Sequence, residues 1–233
     1  MSDTLPFLLG FLAVDAVALL VILIVVLKRK HQRNRIRHFG DLAEEAVAQY
    51  IREHIPGAIL LNNLFLKYKS GITQIDHVLL CKWGVFVIET KSHNGKINIG
   101  EREWIQIYGE KVIRFHSPLL QNEIHCRALS AALSRCPAAR RVPVRGLVVF
   151  TSRKMHFSHR KEGVIRLEEL EHTVKTGSPR RNRRGAVTAD LRRRYLPAKK
   201  LRELEEHLLG LAVKSYRGKQ KHELWVKKRD RNR

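Results

Sequence analysis

Three charged residues on two predicted strands could support hydrolytic chemistry: Asp76, Glu89 and Lys91. Segments 72–81 and 85–91 are rich in β-branched residues, which predicts two strands joined by a short turn. Side chains alternate along a strand, so Glu89 and Lys91 share one face. With a two-residue loop between antiparallel strands, counting back from the turn places Asp76 opposite Glu89 on that same face. The spacing therefore predicts one cluster of two carboxylates and an ammonium group.

Two carboxylates held this close repel each other, and a shared proton or a bound cation relieves the repulsion. Oxygen ligands without a cysteine pair favour a hard cation, so we expect Asp76 and Glu89 to hold Mg²⁺ or Mn²⁺. Such an ion could activate water against a phosphodiester, while Lys91 orients that water or neutralises the developing charge. The alternative interpretation is a plain surface salt bridge among these three residues.

A further carboxylate is expected from the helix predicted over 40–54. Glu44 has Val47 and Ile51 three and seven positions later, so it borders the apolar face and can reach the sheet. Its neighbour Glu45 falls on the solvent side. Helical spacing therefore favours Glu44 as the functional residue of the pair.

The elements that must position these residues alternate between strands and helices, which predicts an α/β domain with a mixed sheet flanked by helices. Further strands are predicted at 58–66, 104–108, 111–115, 144–151 and 164–167, and further helices at 118–135 and 198–215. The strands at 104–108 and 111–115 should form a hairpin.

The chain has 45 basic and 22 acidic residues and a net charge of +23, which indicates a polyanionic partner such as nucleic acid or anionic lipid. Segment 176–194 is rich in Gly, Ser, Pro and Arg, and we expect it to be a flexible linker. Seven of its arginines are predicted to bind nucleic acid: Arg180, Arg181, Arg183, Arg184, Arg192, Arg193 and Arg194. Three cysteines without a CxxC pair fit a reducing compartment and argue against a zinc ribbon.

Residues 5–27 are apolar except for Asp15, and their length predicts a single transmembrane helix. A cleaved signal peptide is the rival interpretation, but it needs a basic start and a shorter apolar stretch. Asp15 would either bind a partner helix or be tolerated in its neutral form. Basic residues follow directly and would lie at the anionic lipid surface: Lys28, Arg29, Lys30, Arg33, Arg35 and Arg37. This asymmetry predicts the N-terminus outside and the C-terminal domain in the cytoplasm.

Four ordered motifs resemble the nuclease-related domain (NERD) family, a relative of restriction-endonuclease-like folds, over about residues 39–133. They are GDLAEEAV with Glu44, TQIDHVLL with Asp76, VFVIETKSHNGKI with Glu89 and Lys91, and SPLLQN with Gln121. The resemblance implies a restriction-endonuclease-like core with nuclease activity. It also implies catalytic roles for Glu44, Asp76, Glu89 and Lys91, while Gln121 would contact the site or anchor its helix.

We therefore expect four regions: an anchor at 1–27, a basic stalk at 28–38, a NERD-like domain at 39–175, and a basic linker, helix and tail at 176–233. The expected function is Mg²⁺-dependent hydrolysis of DNA or RNA at the cytoplasmic membrane face. The alternatives are a membrane-tethered nucleic-acid-binding protein without catalysis and a protein whose basic residues act only on the membrane.

Overall fold

The computed structural model describes residues 4–69, 71–176 and 195–213, and their side chains from residue 19 onward. The chain divides into two compact units, Met1–Leu42 and Ala43–Arg233. One helix, α1, runs from Thr4 to His54 and contributes residues to both units.

The first unit corrects the prediction of a membrane anchor. Apolar side chains are exposed along α1 from Leu19 to Leu27, and the basic residues from Lys28 onward continue the same helix. Among the described residues, no helix combines the length and apolar character needed to cross a membrane, which takes about 20 apolar residues in succession. The predicted transmembrane helix at 5–27 and the predicted single-pass location are therefore wrong.

The other membrane predictions depended on that anchor and lose their support with it. They are the orientation with the N-terminus outside, the lipid contacts of Lys28, Arg29, Lys30, Arg33, Arg35 and Arg37, and the partner helix at Asp15. The side chain of Asp15 itself lies outside the described residues.

The second unit confirms the mixed α/β core. After α1, its strands and helices in chain order are β1 (Ile59–Tyr68), β2 (Gly71–Cys81), β3 (Gly84–Lys91), β4 (Gly95–Asn98), β5 (Glu103–Tyr108), β6 (Lys111–His116), α2 (Pro118–Leu133), β7 (Val144–Phe150), β8 (Met155–Phe157), β9 (Val164–Arg166), α3 (Leu170–Thr176) and α4 (Ala198–Leu211). Short 3₁₀ turns lie at Pro137–Ala139 and Leu167–Glu169.

Five strands form the main sheet in the order β1-β2-β3-β7-β9. Strands β1, β2 and β3 are antiparallel neighbours, whereas β7 and β9 continue the sheet in parallel. The predicted two-residue turn is confirmed, because Cys81 pairs with Gly84. A second sheet has the order β6-β5-β4-β8, and its β5–β6 hairpin is also confirmed.

Both faces of the main sheet are covered, which explains why its central strands are apolar on both sides. One face packs Val85 and Val87 against Leu129 of α2 and Leu204 of α4. The opposite face packs Phe86 and other residues against the end of α1. The second sheet buries Trp104 against Val148 and Phe150 at the end of β7. Strand β3 therefore lies between helices, and its last residues form the candidate site.

Candidate active site

Asp76 and Glu89 come together because of the register between β2 and β3. The paired residues run from Cys81–Gly84 to His77–Ile88, and Asp76 and Glu89 are the next residues on the two strands. The carboxylate of Asp76 is oriented by the backbone of the facing strand, since Thr90 N–H donates to its Oδ2 at 2.9 Å. The two acidic side chains therefore project from one face of the sheet, as the spacing predicts.

Glu89 lies at the centre of the cluster and is only 2% exposed. Lys91 Nζ donates to Glu89 Oε1 at 2.6 Å, and this lysine remains partly accessible. On the other side, His125 Nε2 of α2 lies 3.4 Å from Glu89 Oε2. The second ring nitrogen of His125, Nδ1, is 2.8 Å from the hydroxyl of Thr73 on β2. Glu89 is therefore positioned from two elements besides its own strand.

His125 is the residue that the sequence interpretation missed. It is buried on the sheet-facing side of α2, three residues after the buried Asn122. The sequence signal for His125 was the presence of two polar residues at this spacing on the apolar face of a predicted helix. Buried polar groups usually have hydrogen-bond partners, so such residues indicate contacts with the sheet. With twelve histidines in this basic chain, the sequence alone does not distinguish His125 from the others.

The environment drives the pKa values of the two carboxyl groups apart. Burial and the negative charge of Glu89 raise the pKa of Asp76 to about 7, although the Thr90 N–H acts in the opposite direction. Burial also raises the pKa of Glu89, but the contacts with His125 and Lys91 outweigh it and keep that pKa below its ordinary value. Paired groups separated in this way are typical of catalytic sites, where one carboxylate stays charged and the other takes up a proton.

Glu44 is half-buried on α1 and lies close enough to Asp76 for the two charges to interact. Asn63 Nδ2 donates to Glu44 Oε2 at 3.2 Å, and Asn63 Oδ1 in turn accepts from Gln74 on β2 at 2.6 Å. Asn63 adopts a left-handed backbone with φ of 53°, which interrupts β1 beside the site. The charge of Glu44 also contributes to the raised pKa of Asp76. Glu45, by contrast, is exposed and pairs with Arg52 at 2.6 Å.

The donor set fits a hard divalent cation held by few protein ligands. Among the described residues, no group of three or more His, Cys, Asp or Glu side chains forms a complete metal cage. Mg²⁺, however, commonly binds one or two carboxylates and completes its shell with water and substrate phosphate. Asp76 and Glu89 supply two such carboxylates, and the buried Glu89 Oε2 makes no well-formed hydrogen bond to the described residues, with His125 Nε2 beside it at 3.4 Å.

Helix α2 is attached to the main sheet by Asn122 rather than by its exposed neighbour Gln121. Asn122 Nδ2 donates to the carbonyl oxygens of Val87 at 3.1 Å and Leu147 at 3.0 Å, so one side chain joins β3, β7 and α2. The close approach depends on Gly146, where a Cβ would lie 3.0 Å from Asn122 Nδ2. This attachment places His125 beside Glu89.

The predicted nucleic-acid-binding arginines, from Arg180 to Arg194, lie outside the described residues. Their contribution stays a prediction.

Residues 39–151, which include the candidate site, match the family model of the nuclease-related domain. The chain carries a nuclease-related domain. The resemblance inferred from the sequence motifs is therefore confirmed, and this NERD domain contains Glu44, Asp76, Glu89, Lys91 and His125. The domain type suggests a nuclease-like function and a nucleic-acid partner.

The chain is also similar to an uncharacterized protein of Bacillus anthracis, with 33% identity over 94 residues. The match covers 39% of this chain and 44% of that relative, so it spans less than half of either protein. No solved structure matches the chain.

Proposed function

We propose that this NERD protein hydrolyses phosphodiester bonds of DNA or RNA with the help of a divalent cation. The observation that carries the proposal is the buried pair of carboxylates Asp76 and Glu89, which interact as like charges, with Glu89 joined to Lys91 through a 2.6 Å ion pair. Burial of like charges costs free energy, so such a pair in a nuclease-related domain calls for a cation that offsets it.

Asp76 and Glu89 are the residues that would hold Mg²⁺ or Mn²⁺. A cation bound there would supply positive charge that acidifies the attacking water and offsets the charge on the phosphate. The Thr90 N–H occupies Oδ2 of Asp76 and orients that carboxylate. The second carboxylate, Glu89, is oriented by Lys91 on one oxygen and by His125 beside the other.

Lys91 is the candidate for direct contact with the substrate. Its ammonium group is tied to Glu89 Oε1 and remains 20% exposed, so it can donate a hydrogen bond to the attacking water or to a phosphoryl oxygen. Glu44 approaches the same site through Asn63 and adds a third negative charge near Asp76. We assign Glu44 the task of orienting water on the side of the site that faces α1.

The test uses the full chain with supercoiled plasmid, single-stranded DNA or RNA, in Mg²⁺, Mn²⁺ or EDTA. Wild type should cleave at least one substrate in a metal-dependent manner, and both Asp76→Asn and Lys91→Met should lose that cleavage. Glu45→Gln is the matched control, because Glu45 is the exposed neighbour of Glu44 and should be dispensable.

Cleavage retained by both site variants would contradict the proposed residues. Binding of nucleic acid without cleavage by wild type under any metal condition would contradict the hydrolytic function. That second result would favour the alternative of a non-catalytic nucleic-acid-binding protein.

A further inference from the structure

A second group of basic and aromatic side chains lies at the turn between β2 and β3, away from the candidate active site. Lys82 Nζ is 4.6 Å from the ring centre of Trp83 and 5.5 Å from that of Tyr195. Lys175 Nζ at the end of α3 lies 5.7 Å from the Trp83 ring. We call these four residues, Lys82, Trp83, Lys175 and Tyr195, the turn surface.

The turn surface is held in place by main-chain as well as side-chain contacts. Leu196 N–H donates to the carbonyl oxygen of Lys82 at 3.0 Å, which fixes Tyr195 beside the turn. Lys175 is additionally paired with Glu171 one helical turn earlier. Lys175 therefore meets the turn at Trp83 and Tyr195 meets it at Lys82, so segments that are distant in sequence come together through the tertiary fold.

Exposure indicates that this surface is available to a partner. Tyr195 is 65% exposed, Lys82 is exposed and Trp83 is half-buried. A large exposed aromatic ring with an ammonium group beside it can stack on a nucleobase while the cation meets the adjacent phosphate. Burial of this ring by a purely apolar partner would leave Lys82 without a counter-charge, which is costly.

The sequence between two residues of the turn surface is strongly basic, which favours a polyanion. Lys175 and Tyr195 are joined in the sequence by a segment with seven arginines and one acidic residue, Asp190. Among the described residues of the surface, Glu171 is the carboxylate that pairs with one of its two lysines. Proteins commonly bind single-stranded nucleic acid through positive charge next to an exposed aromatic ring.

We propose that the turn surface binds single-stranded nucleic acid, with a base stacked on Tyr195 and backbone phosphates at Lys82 and Lys175. Trp83 precedes β3 and Lys91 ends it, and eight residues of strand separate the two sites by about 25 Å. Binding at the turn surface adds a second contact for a long substrate. It extends the proposed function without requiring catalysis at Asp76.

The binding test uses the full chain with fluorescein-labelled dT20 and U20 oligonucleotides in EDTA, followed by fluorescence anisotropy. Tyr195→Ala should weaken binding about 5- to 100-fold, because a stacked base contributes at that level, whereas Tyr195→Phe should bind like wild type. Lys82→Gln should lower the slope of log affinity against log salt by about 0.7, the value for one lost phosphate contact on a single strand. Preference for dT20 or U20 would distinguish DNA from RNA.

Tyr108→Ala is the matched control, because Tyr108 is an exposed aromatic residue, 55% accessible, in the second sheet. Wild-type affinity in Tyr195→Ala and an unchanged salt slope in Lys82→Gln would together overturn the proposal. Equal weakening by Tyr108→Ala would also overturn it, because the effect would then be common to exposed aromatic residues. Thermal unfolding of each variant confirms that it is folded.

Failure of this proposal is distinguishable from failure of the nuclease function. The anisotropy measurements are made in EDTA, where metal-dependent cleavage does not occur, so weaker binding by Tyr195→Ala does not depend on catalysis. If wild type cleaves, Tyr195→Ala should raise KM for 20-nucleotide substrates and leave kcat unchanged. KM for hexanucleotides should not change, because the distance of about 25 Å between the two sites corresponds to roughly seven base steps, and a hexanucleotide is too short to reach both. If no protein cleaves, weaker binding by Tyr195→Ala still supports the turn surface.

Discussion

Replacement of Asp76 by Asn should stabilise the folded protein above pH 7 while it abolishes cleavage. Burial and the charge of Glu89 raise the pKa of Asp76 from 3.8 to about 7. One pKa unit corresponds to about 1.4 kcal/mol, so the charged carboxylate destabilises the folded state by at most about 4 kcal/mol. Asn has the same shape, and its side-chain oxygen can still accept the Thr90 N–H.

The pH dependence follows from the direction of the shift. The unfolded chain releases the Asp76 proton near 3.8, whereas the folded chain keeps it until about pH 7. The stabilising contribution of the protonated group is therefore fully present below pH 3.8 and is lost as the pH rises to about 7. The difference in unfolding free energy between Asp76→Asn and wild type should be close to zero near pH 4 and largest above pH 7.

Thermal unfolding followed by circular dichroism measures this difference. For a chain of this size, 1 kcal/mol corresponds to about 2 to 4 °C, so the variant should melt higher than wild type by at most about 16 °C in EDTA near pH 8. Mg²⁺ should raise the Tm of wild type at that pH and leave Asp76→Asn nearly unchanged, because ligand binding stabilises only the form that binds it. Because Asp76→Asn and wild type are compared at the same pH, the contributions of all other titrating groups to stability cancel in the difference.

The reasoning would be refuted if Asp76→Asn melted at or below the wild-type temperature near pH 8, or if the difference narrowed as the pH rose from 4 to 8. Glu45→Gln serves as control, because Glu45 is exposed and pairs with Arg52.

Three further variants distinguish residues that act in the site from a residue that stabilises the fold. Lys91→Met should lower kcat about 100-fold or more, since a charged donor in the site is lost, and single-turnover cleavage at saturating substrate measures this. His125→Gln should raise the Mg²⁺ concentration for half-maximal cleavage about 10- to 100-fold, because the group beside Glu89 Oε2 is lost; a normal Mg²⁺ titration would argue against positioning. Asn122→Ala should lower the free energy of unfolding by about 2 to 3 kcal/mol, because two buried hydrogen bonds to strand carbonyls disappear. Urea denaturation measures this last change, and an unchanged midpoint would contradict the anchoring role of Asn122.

The local features of the site were predictable from the sequence. A two-residue turn and the alternation of side chains determine which residues face each other across a hairpin, so Asp76 opposite Glu89 required no knowledge of the remaining fold. Helical spacing likewise distinguished Glu44 from Glu45, because it identifies the side of a helix that faces the core. Hairpin register and helical spacing both depend only on residues that are close together in the chain.

Other elements and contacts escaped prediction because they arise from long-range packing. Strands β4 and β8 have only four and three residues, too few for a recognisable pattern, and their pairing joins segments far apart in the chain. The transmembrane prediction failed for a different reason. It rested on apolar composition over 5–27, whereas none of the described helices is long and apolar enough to cross a membrane.

The amino-acid sequence alone determined the carboxylate pair and the lysine beside it, since hairpin register is a local property of the chain. Tertiary structure alone decided how that pair is held: Asn122 attaches α2 to two strands, and the attachment brings His125 to Glu89. It likewise brought Tyr195 to the turn that precedes β3. The physical reason is that contacts between distant segments depend on how whole elements pack, and packing reflects the shape and volume of many side chains together.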